Sequence, residues 1–275
     1  MPLVLTTRQP LDLSVEVESL HPLSLRELST TAIARLTVAQ GNRSIPVGEL
    51  FDVERTEGDD EEIVFAGDTG RLKRIGEKLA GGRIVVDGSA GMHAGAMMTG
   101  GEVFVRGDAA DWAGAEMRGG TLRIAGNVGA CLGGGYRGSR KGMRGGEIFV
   151  GGDAGDEVGT VLRRGLIAVA GNVGHACGFG MLAGSIVVFG RTAAQLGAGM
   201  KRGTIVCLNP AEPPDLLPTF RRACDYQPTI LRGLLNYLGG QGLPVVREQV
   251  EGTFRRHCGD LLELGKGEVL SLIPA

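Results

Sequence analysis

From residue 61 to residue 209 apolar side chains alternate with other residues in short runs, and the runs return at a fixed interval. "GGRIVVDGS" from Gly81, "GGEVFVRGD" from Gly100, "GGTLRIAGN" from Gly119, "GGEIFVGGD" from Gly145, "RGLIAVAGN" from Arg164 and "AGSIVVFGR" from Ala183 share one design: a glycine, apolar residues two and four positions on, then glycine again. The opening glycines are Gly82, Gly101, Gly120, Gly146, Gly165, Gly184 and Gly203, spaced by 19, 19, 26, 19, 19 and 19 residues. A degenerate unit, "EEIVFAGD" from Glu61, precedes them, and the last, "GTIVCLN", closes on Asn209 rather than glycine. Atypical first and last units are expected of a repeat array.

Alternation with period two predicts strands. The paired apolar positions run from Ile84 and Val86 through Val103 and Val105, Leu122 and Ile124, Ile148 and Val150, Ile167 and Val169, Ile186 and Val188, to Ile205 and Cys207. Such short strands cannot bury an apolar face alone. Recurring at constant separation, they can stack in parallel so that like positions form continuous inward ladders. The pattern therefore predicts a mainly β protein built as a parallel β-helix of about seven coils. Three residues before each opening glycine, Leu79, Met98, Met117, Met143, Leu162, Met181 and Met200 supply a second inward ladder.

The glycines fit corners where the backbone turns sharply and coils lie too close for side chains. Beside the closing glycines runs a column of Asp68, Ser89, Asp108, Asn127, Asp153, Asn172 and Arg191, mostly short polar residues that close turns by bonding nearby backbone. That assigns the acid in "VRGD" to a turn rather than to a ribose contact. A dinucleotide site needs one glycine-rich turn between a strand and a helix. Here the turn recurs seven times without a helical pattern after it, and no phosphate-binding G-x-x-x-x-G-K-[ST] occurs.

The flanks differ in composition, which divides the chain into an N-terminal capping segment (1–60), the repeats (61–209) and a C-terminal segment (210–275). In the first, "PLVLTT" and "DLSVEVES" read as strands, and Ser24 with Glu27 forms an S-x-x-E capping box that predicts a short helix from about Leu25. In the last, "PAEPPDLLP" is a proline-rich exit, and "PTILRGLLNYLGG" predicts a helix closed by Gly239 with Ile230, Leu231, Leu234, Leu235 and Leu238 on its apolar side. Exposed strand edges need covering, so both flanks are expected to cap the ends or to pack along the side.

Outward positions are unequal along the array. Val85, Asp87, Phe104, Arg106, Arg123 and Ala125 give way to Phe149, Gly151, Ala168, Ala170, Val187 and Phe189. The later coils are apolar outside as well as inside. Such a patch must be covered, by the terminal segments or by a docked partner subunit, with Phe149, Val187 and Phe189 at its centre.

Composition narrows the function. The 275 residues include 48 glycines, yet 43% are hydrophobic and mean hydropathy is +0.08, which excludes a disordered chain. A formal net charge of -2 excludes an overall positive field for nucleic acid, so any anion site is local. The five cysteines include no C-x-x-C pair and read as reduced thiols. No stretch approaches the ~20 apolar residues of a membrane span, and no leader pattern opens the chain. A cytoplasmic protein without membrane or nucleic-acid partners is the expectation.

No catalytic group stands out. His93, His175 and His257 lie in different repeat columns without further ligands at zinc spacing, so no metal site is expected. Cys131 and Cys177 read as small buried thiols. One column is unusual: two residues before the opening glycines come Ala80, Thr99, Arg118, Arg144, Arg163, Leu182 and Lys201. Stacked about 4.8 Å apart, the arginines would repel unless an anion lies along them or they fan into solvent or pair with acidic neighbours. The seven-residue insertion in "GGGYRGSRKGM" adds Arg137, Arg140 and Lys141 on the same edge.

The M-x-x-G-x-h-x-h-x-G repeats, the lead-in "GNRSIPVGELFDVE" and the tail "FRRHCGDLLELGKGEVL" together resemble the family of the formylmethanofuran dehydrogenase C subunit, whose bacterial branch is the C subunit of the formyltransferase/hydrolase complex of methylotrophs. The repeat alone is also similar to the carboxy-terminal domain of the glutamate synthase large subunit, which would not bring this lead-in and tail. The resemblance implies a right-handed β-helix acting as a non-catalytic scaffold. It implies partner subunits, one a metal-dependent amidohydrolase-like protein and one a formyltransferase, and a methanofuran-type coenzyme held by the complex rather than by this chain alone. Arg118, Arg144, Arg163, Lys201, Arg137, Arg140 and Lys141 are then candidates to bind that anionic coenzyme or an acidic partner. Only Lys73, Lys78, Lys141, Lys201 and Lys266 among the 29 basic residues are lysine, a bias opposite to that of hyperthermophiles, which points to the bacterial branch. The corresponding component of a tungsten or molybdenum dehydrogenase and a stand-alone anion-binding β-helix are the alternatives.

Overall fold

The computed structural model describes residues 1–274. The N-terminal segment holds strands β1 (Leu3–Thr7), β2 (Val15–Glu16), β3 (Thr37–Gln40), β4 (Arg43–Pro46) and β5 (Phe51–Arg55), with short helices α1 (Pro22–Leu25), α2 (Thr30–Arg35) and α3 (Val47–Leu50). The repeats supply β6 (Glu62–Ala66), β7 (Leu72–Lys73), β8 (Arg83–Val86), β9 (Thr99–Val105), β10 (Gly119–Ile124), β11 (Arg144–Val150), β12 (Arg164–Val169), β13 (Ser185–Val188) and β14 (Arg202–Cys207). The C-terminal segment adds β15 (Arg221–Tyr226), α4 (Thr229–Gly240), α5 (Arg247–Glu251), β16 (Phe254–Gly259) and β17 (Lys266–Leu272).

One 13-stranded sheet organises the molecule, in the order β15-β16-β17-β14-β13-β12-β11-β10-β9-β8-β6-β1-β5. It is parallel from β1 through β17, and antiparallel strands close it at each end. The register matches the repeat: Ile84 pairs Val103, Val103 pairs Leu122, Leu122 pairs Ile148, and so on to Ile205. A second line of parallel bridges, Ala90, Ala109, Val128, Ala154, Val173 and Thr192, runs in step with it. Each repeat is therefore one circuit of chain laid on the circuit before.

The inward ladders are buried throughout, including Leu79, Met98, Met117, Met143, Leu162, Met181 and Met200. They join one continuous core with the N-terminal strands. Close stacking explains the glycines at two columns. Gly120 has φ +82 and a Cβ there would lie 2.6 Å from the Gly101 carbonyl oxygen, while one on Gly145 would lie 2.5 Å from that of Arg118. The polar turn column does more than close turns: the Asp108 side chain accepts from the Asn127 N–H at 2.7 Å, Asn127 from Asp153 at 2.8 Å, Asp153 from Asn172 at 2.7 Å, and Asn172 from Arg191 at 2.8 Å. Each bond ties a circuit to the next. Asp108 is thus committed to the stack, as the repeat implied.

Both flanks contribute to the sheet as well as covering it. β1 adds a parallel rung beside β6, the first strand of the repeats, and β17 continues the ladder past β14. The helix expected from Leu25 is displaced. Pro22 starts α1, and three carbonyls after its first turn, those of Leu25, Arg26 and Leu28, are taken by the Arg55 guanidinium. The next helix begins at Thr30, capped by the Ser29 hydroxyl, which accepts from the Ala32 N–H. α4 lies where the sequence placed it, with Leu231, Leu235 and Leu238 buried, but Ile230 is 86% exposed because it falls about 100° from the 231, 235, 238 stripe. No helix among the described residues is long and apolar enough to cross a membrane.

Candidate functional site

The outward face of the later circuits is covered by the chain itself. Phe149, Val187 and Phe189 are buried in a second apolar cluster with Leu231, Leu235 and Leu238 of α4 and with Phe254 and Leu270 of the C-terminal strands. Of the two covers expected for this patch, the terminal segment is the one found. These three residues therefore offer no free docking surface. The Arg123 guanidinium pins the rim, bonding the Gln241 carbonyl at 3.2 Å and stacking 4.7 Å over the Phe149 ring, while the Tyr237 hydroxyl donates to Glu147 at 2.6 Å.

The basic column is stacked as the repeat requires. The backbone N–H groups of Arg118, Arg144, Arg163 and Lys201 donate to Met98, Met117, Met143 and Met181 of the preceding circuits. Their side chains separate. Arg144 is half-buried, with a nitrogen 3.9 Å from Glu116, and Lys201 lies 3.4 Å from Glu263. Arg118, Arg163, Arg137, Arg140 and Lys141 are exposed. None of these five makes an ion pair among the described residues.

Two adjoining open clefts gather part of this set. A cleft of about 530 Å³ is lined by Arg140, Lys141, Arg163 and Lys201 with Val161, Phe179, Leu182 and Glu263. Its neighbour, about 410 Å³, shares Arg163, Leu182 and Lys201 and adds Arg164, Arg202 and Leu264. Arg118, Arg144 and Arg137 do not line either. Sequence reasoning missed Arg164, Arg202, Phe179 and Leu264. The first two carry a legible signal: they occupy the column held by Gly81, Gly100, Gly119 and Gly145 in earlier circuits. Both arginines are exposed and both keep their place in the ladder, Arg164 beside Arg144 and Arg202 beside Lys266.

The insertion also builds a polar and aromatic cluster. The Tyr136 ring stacks on Trp112 at 5.2 Å, and its hydroxyl lies 3.1 Å from His93 Nδ1. Below them Glu77, 2% exposed, holds Arg74 at 2.7 Å and Lys78 at 3.4 Å. Burial, and then the Arg74 charge, push the His93 imidazole below its ordinary value, and burial pushes the Tyr136 phenol up to about 12. His93 and Trp112 share a left-handed backbone with Arg74, Cys131, Glu157, Ala176 and Gln195, one residue per circuit. Bonds from the N–H groups of His93, Trp112, Cys131, Glu157 and Ala176 to the next circuit hold that conformation.

All five cysteines are free, and burial raises the thiols of Cys131, to about 11, and Cys207, to about 12, which keeps them protonated. No group of three or more His, Cys, Asp or Glu among the described residues could hold a metal ion. His175 lies in a turn of the later circuits, its N–H donating to the Asp156 carboxylate, and His257 lies on β16 opposite Val269.

No family model matches the chain. Over 91 residues, 33% of the chain, it is 36% identical to the C subunit of the tungsten-containing formylmethanofuran dehydrogenase 2 of Methanococcus maripaludis. Over 93 residues it is 41% identical to the C subunit of the molybdenum-containing formylmethanofuran dehydrogenase 1 of Methanosarcina barkeri. The chain spans about a third of the length of these curated relatives, 34% and 31%. A chain in the crystal structure of the formyltransferase/hydrolase complex from Methylorubrum extorquens, solved with methylofuran, superposes with a TM-score of 0.87 and 34% identity, covering 99% of both chains.

Proposed function

Because the chain belongs to the family of the formylmethanofuran dehydrogenase C subunit, we propose that it is a non-catalytic scaffold subunit of a formyltransferase/hydrolase complex. That complex moves a formyl group from tetrahydromethanopterin to a methanofuran-type coenzyme and releases formate. The observation that carries this reading is the likeness along 99% of the chain, at 34% identity, to a chain of the Methylorubrum extorquens complex. The scaffold role is supported by the chain's interior, where the inward ladders of successive circuits join the N-terminal strands in one continuous apolar core. We read 61–209 as a right-handed parallel β-helix of about seven coils, handed as parallel crossovers almost always are, with 1–60 and 210–275 closing its ends and side. Its partners are an amidohydrolase-like subunit and a formyltransferase subunit, and its place is the cytoplasm.

The open basic clefts are the local anion site in this reading. Guanidinium forks suit carboxylates, so Arg163 and Arg140, with Lys141 and Lys201, fit an anionic coenzyme tail or an acidic partner surface. Arg118, Arg144 and Arg137 extend the same charge along the insertion edge. The test is to purify the chain through an affinity tag from the cells that make it and assay the eluate for formate release from formyl-tetrahydromethanopterin. Co-elution of that activity with fixed partner subunits is the expected result; a chain that elutes alone, or with no such activity, overturns the reading. The tungsten and molybdenum relatives favour a second reading, the C subunit of a formylmethanofuran dehydrogenase. Metal analysis of the same eluate separates the two, since stoichiometric tungsten or molybdenum would select the dehydrogenase.

A further inference from the structure

The turn between β16 and β17 carries three leucines out of the core: Leu261, Leu262 and Leu264, with Leu262 82% exposed. A solvent-facing apolar turn is unfavourable unless something covers it. This turn is also held rigidly. Asp260 is buried, and its carboxylate accepts from the Gly199 N–H on the stack at 3.0 Å and from the Leu262 N–H at 3.0 Å. The Gly265 N–H closes back onto the Asp260 carbonyl at 3.0 Å, and Glu263 lies 3.4 Å from Lys201. Burial by itself would raise the Asp260 carboxyl, but the bonds it accepts together hold it below its ordinary value. The leucines are presented as a fixed wedge instead of fraying into solvent.

The wedge stands against the basic clefts. Leu264 lines one and Glu263 the other, across from Phe179, which is 48% exposed. Arg163, Arg164 and Arg202 surround this apolar ground without an ion pair among the described residues. An apolar centre ringed by arginines is the anatomy of a protein interface, where area is buried at the centre and charge selects the partner at the rim. Resting on the scaffold reading above, we propose that the β16–β17 turn and the flanking clefts form the docking surface for a partner subunit that brings an apolar segment bordered by carboxylates. A coenzyme tail made of carboxylates would neutralise the arginines but leave Leu262 and Phe179 in water. A second copy would have to offer its own acidic run, Glu57 to Glu62, which spans the junction of the N-terminal segment and the first repeat and whose Glu61 and Glu62 already pair with Arg26 and Arg83.

The experiment uses the tagged chain produced in its own cells, as parent, as Leu262→Asp with Leu264→Asp, and as Leu13→Asp. Leu13 is 58% exposed in the N-terminal segment and controls for loss of any surface leucine. The expected result is that the turn variant melts at the parent temperature while its co-purifying subunits fall at least about tenfold, a loss of about 1.4 kcal/mol or more in binding. Leu13→Asp keeps them. Parent-level assembly by the turn variant overturns the proposal while leaving the scaffold reading intact; a parent chain that purifies alone overturns both. Two further measurements name the competing occupants. A concentration-dependent dimer of the isolated chain that the turn variant loses, with other subunits retained, assigns the surface to self-association. Binding of a pentaglutamate peptide that Arg163→Glu with Arg164→Glu abolishes, with assembly unchanged in all variants, assigns it to the coenzyme tail. Either result overturns partner docking.

Discussion

The early and late circuits share their interior and differ in their exterior. Inside, Ile84, Val103 and Leu122 of the early circuits are as buried as Ile148, Ile167 and Ile186 of the late ones, and the same parallel register joins them. Outside, Asp87 and Arg106 pair with one another in solvent at 3.0 Å, whereas Phe149, Ala168 and Val187 lie dry beneath α4. Arg123 marks the seam, reaching back to Glu102 at 3.5 Å and forward to Gln241. A stacked array fixes its own inside but leaves its outside free, so the outside is where one stretch can stay solvated and the next can take a cover. The cover taken here is the chain's own helix, burying Leu231, Leu235 and Leu238, about 2 kcal/mol each by area.

The comparison breaks most severely at the interior. Ile167→Asp puts an unpaired carboxylate in the stacked core and is expected to cost several kcal/mol and abolish soluble expression, while Arg106→Ala on the early exterior shifts stability by no more than about 0.5 kcal/mol. Normal melting of the first variant would show that the inward ladder faces elsewhere. Next in size is the covered exterior. Phe149→Ala is expected to lose about 3 kcal/mol in denaturant unfolding, since its ring packs under α4 and beneath Arg123. Phe104→Ala, the same column one circuit before Arg123 but only half-buried, is expected to lose less than half of that. Equal losses would mean that α4 contributes nothing to the difference.

Smaller effects test what ties the circuits together. Asn127→Ala removes the acceptor for the Asp153 N–H and is expected to cost about 1 kcal/mol. Arg191→Ala in the same column should be silent in the melt, because there the backbone alone takes part in the ladder. The smallest effect is a pH dependence. Burial lowers the imidazoles of His21 and His93 from 6.5. The unfolded chain therefore binds more protons below 6.5, and stability that is complete above that value falls as pH drops through it toward the folded values. Melting between about pH 7 and about pH 5 should show this fall, and His93→Gln should flatten part of it. A parent protein that grows more stable over that interval contradicts the neutral, buried imidazoles.

What the sequence determined by itself is what repeats. Period two, the 19-residue return and the methionine column located the strands, their register and the core, because identical strands have one arrangement that buries all their apolar faces at once. The apolar outward residues of the late circuits, and the helix that could cover them, were legible for the same reason. Single events were not. The strands β15 to β17 lack clean alternation; pairing with the last rung decides them. Ser29 rather than Ser24 caps a helix because Arg55, twenty-six residues away, takes the carbonyls that a helix from Leu25 would use. The arginine column was visible, but the clefts were not: Arg164 and Arg202 are deviations from a glycine column, and Leu264 arrives on a turn that returns to the stack only through Asp260 and Gly199. Tertiary structure alone decided which basic residues meet, because a surface site is made where unlike segments converge, and convergence leaves no period in the chain.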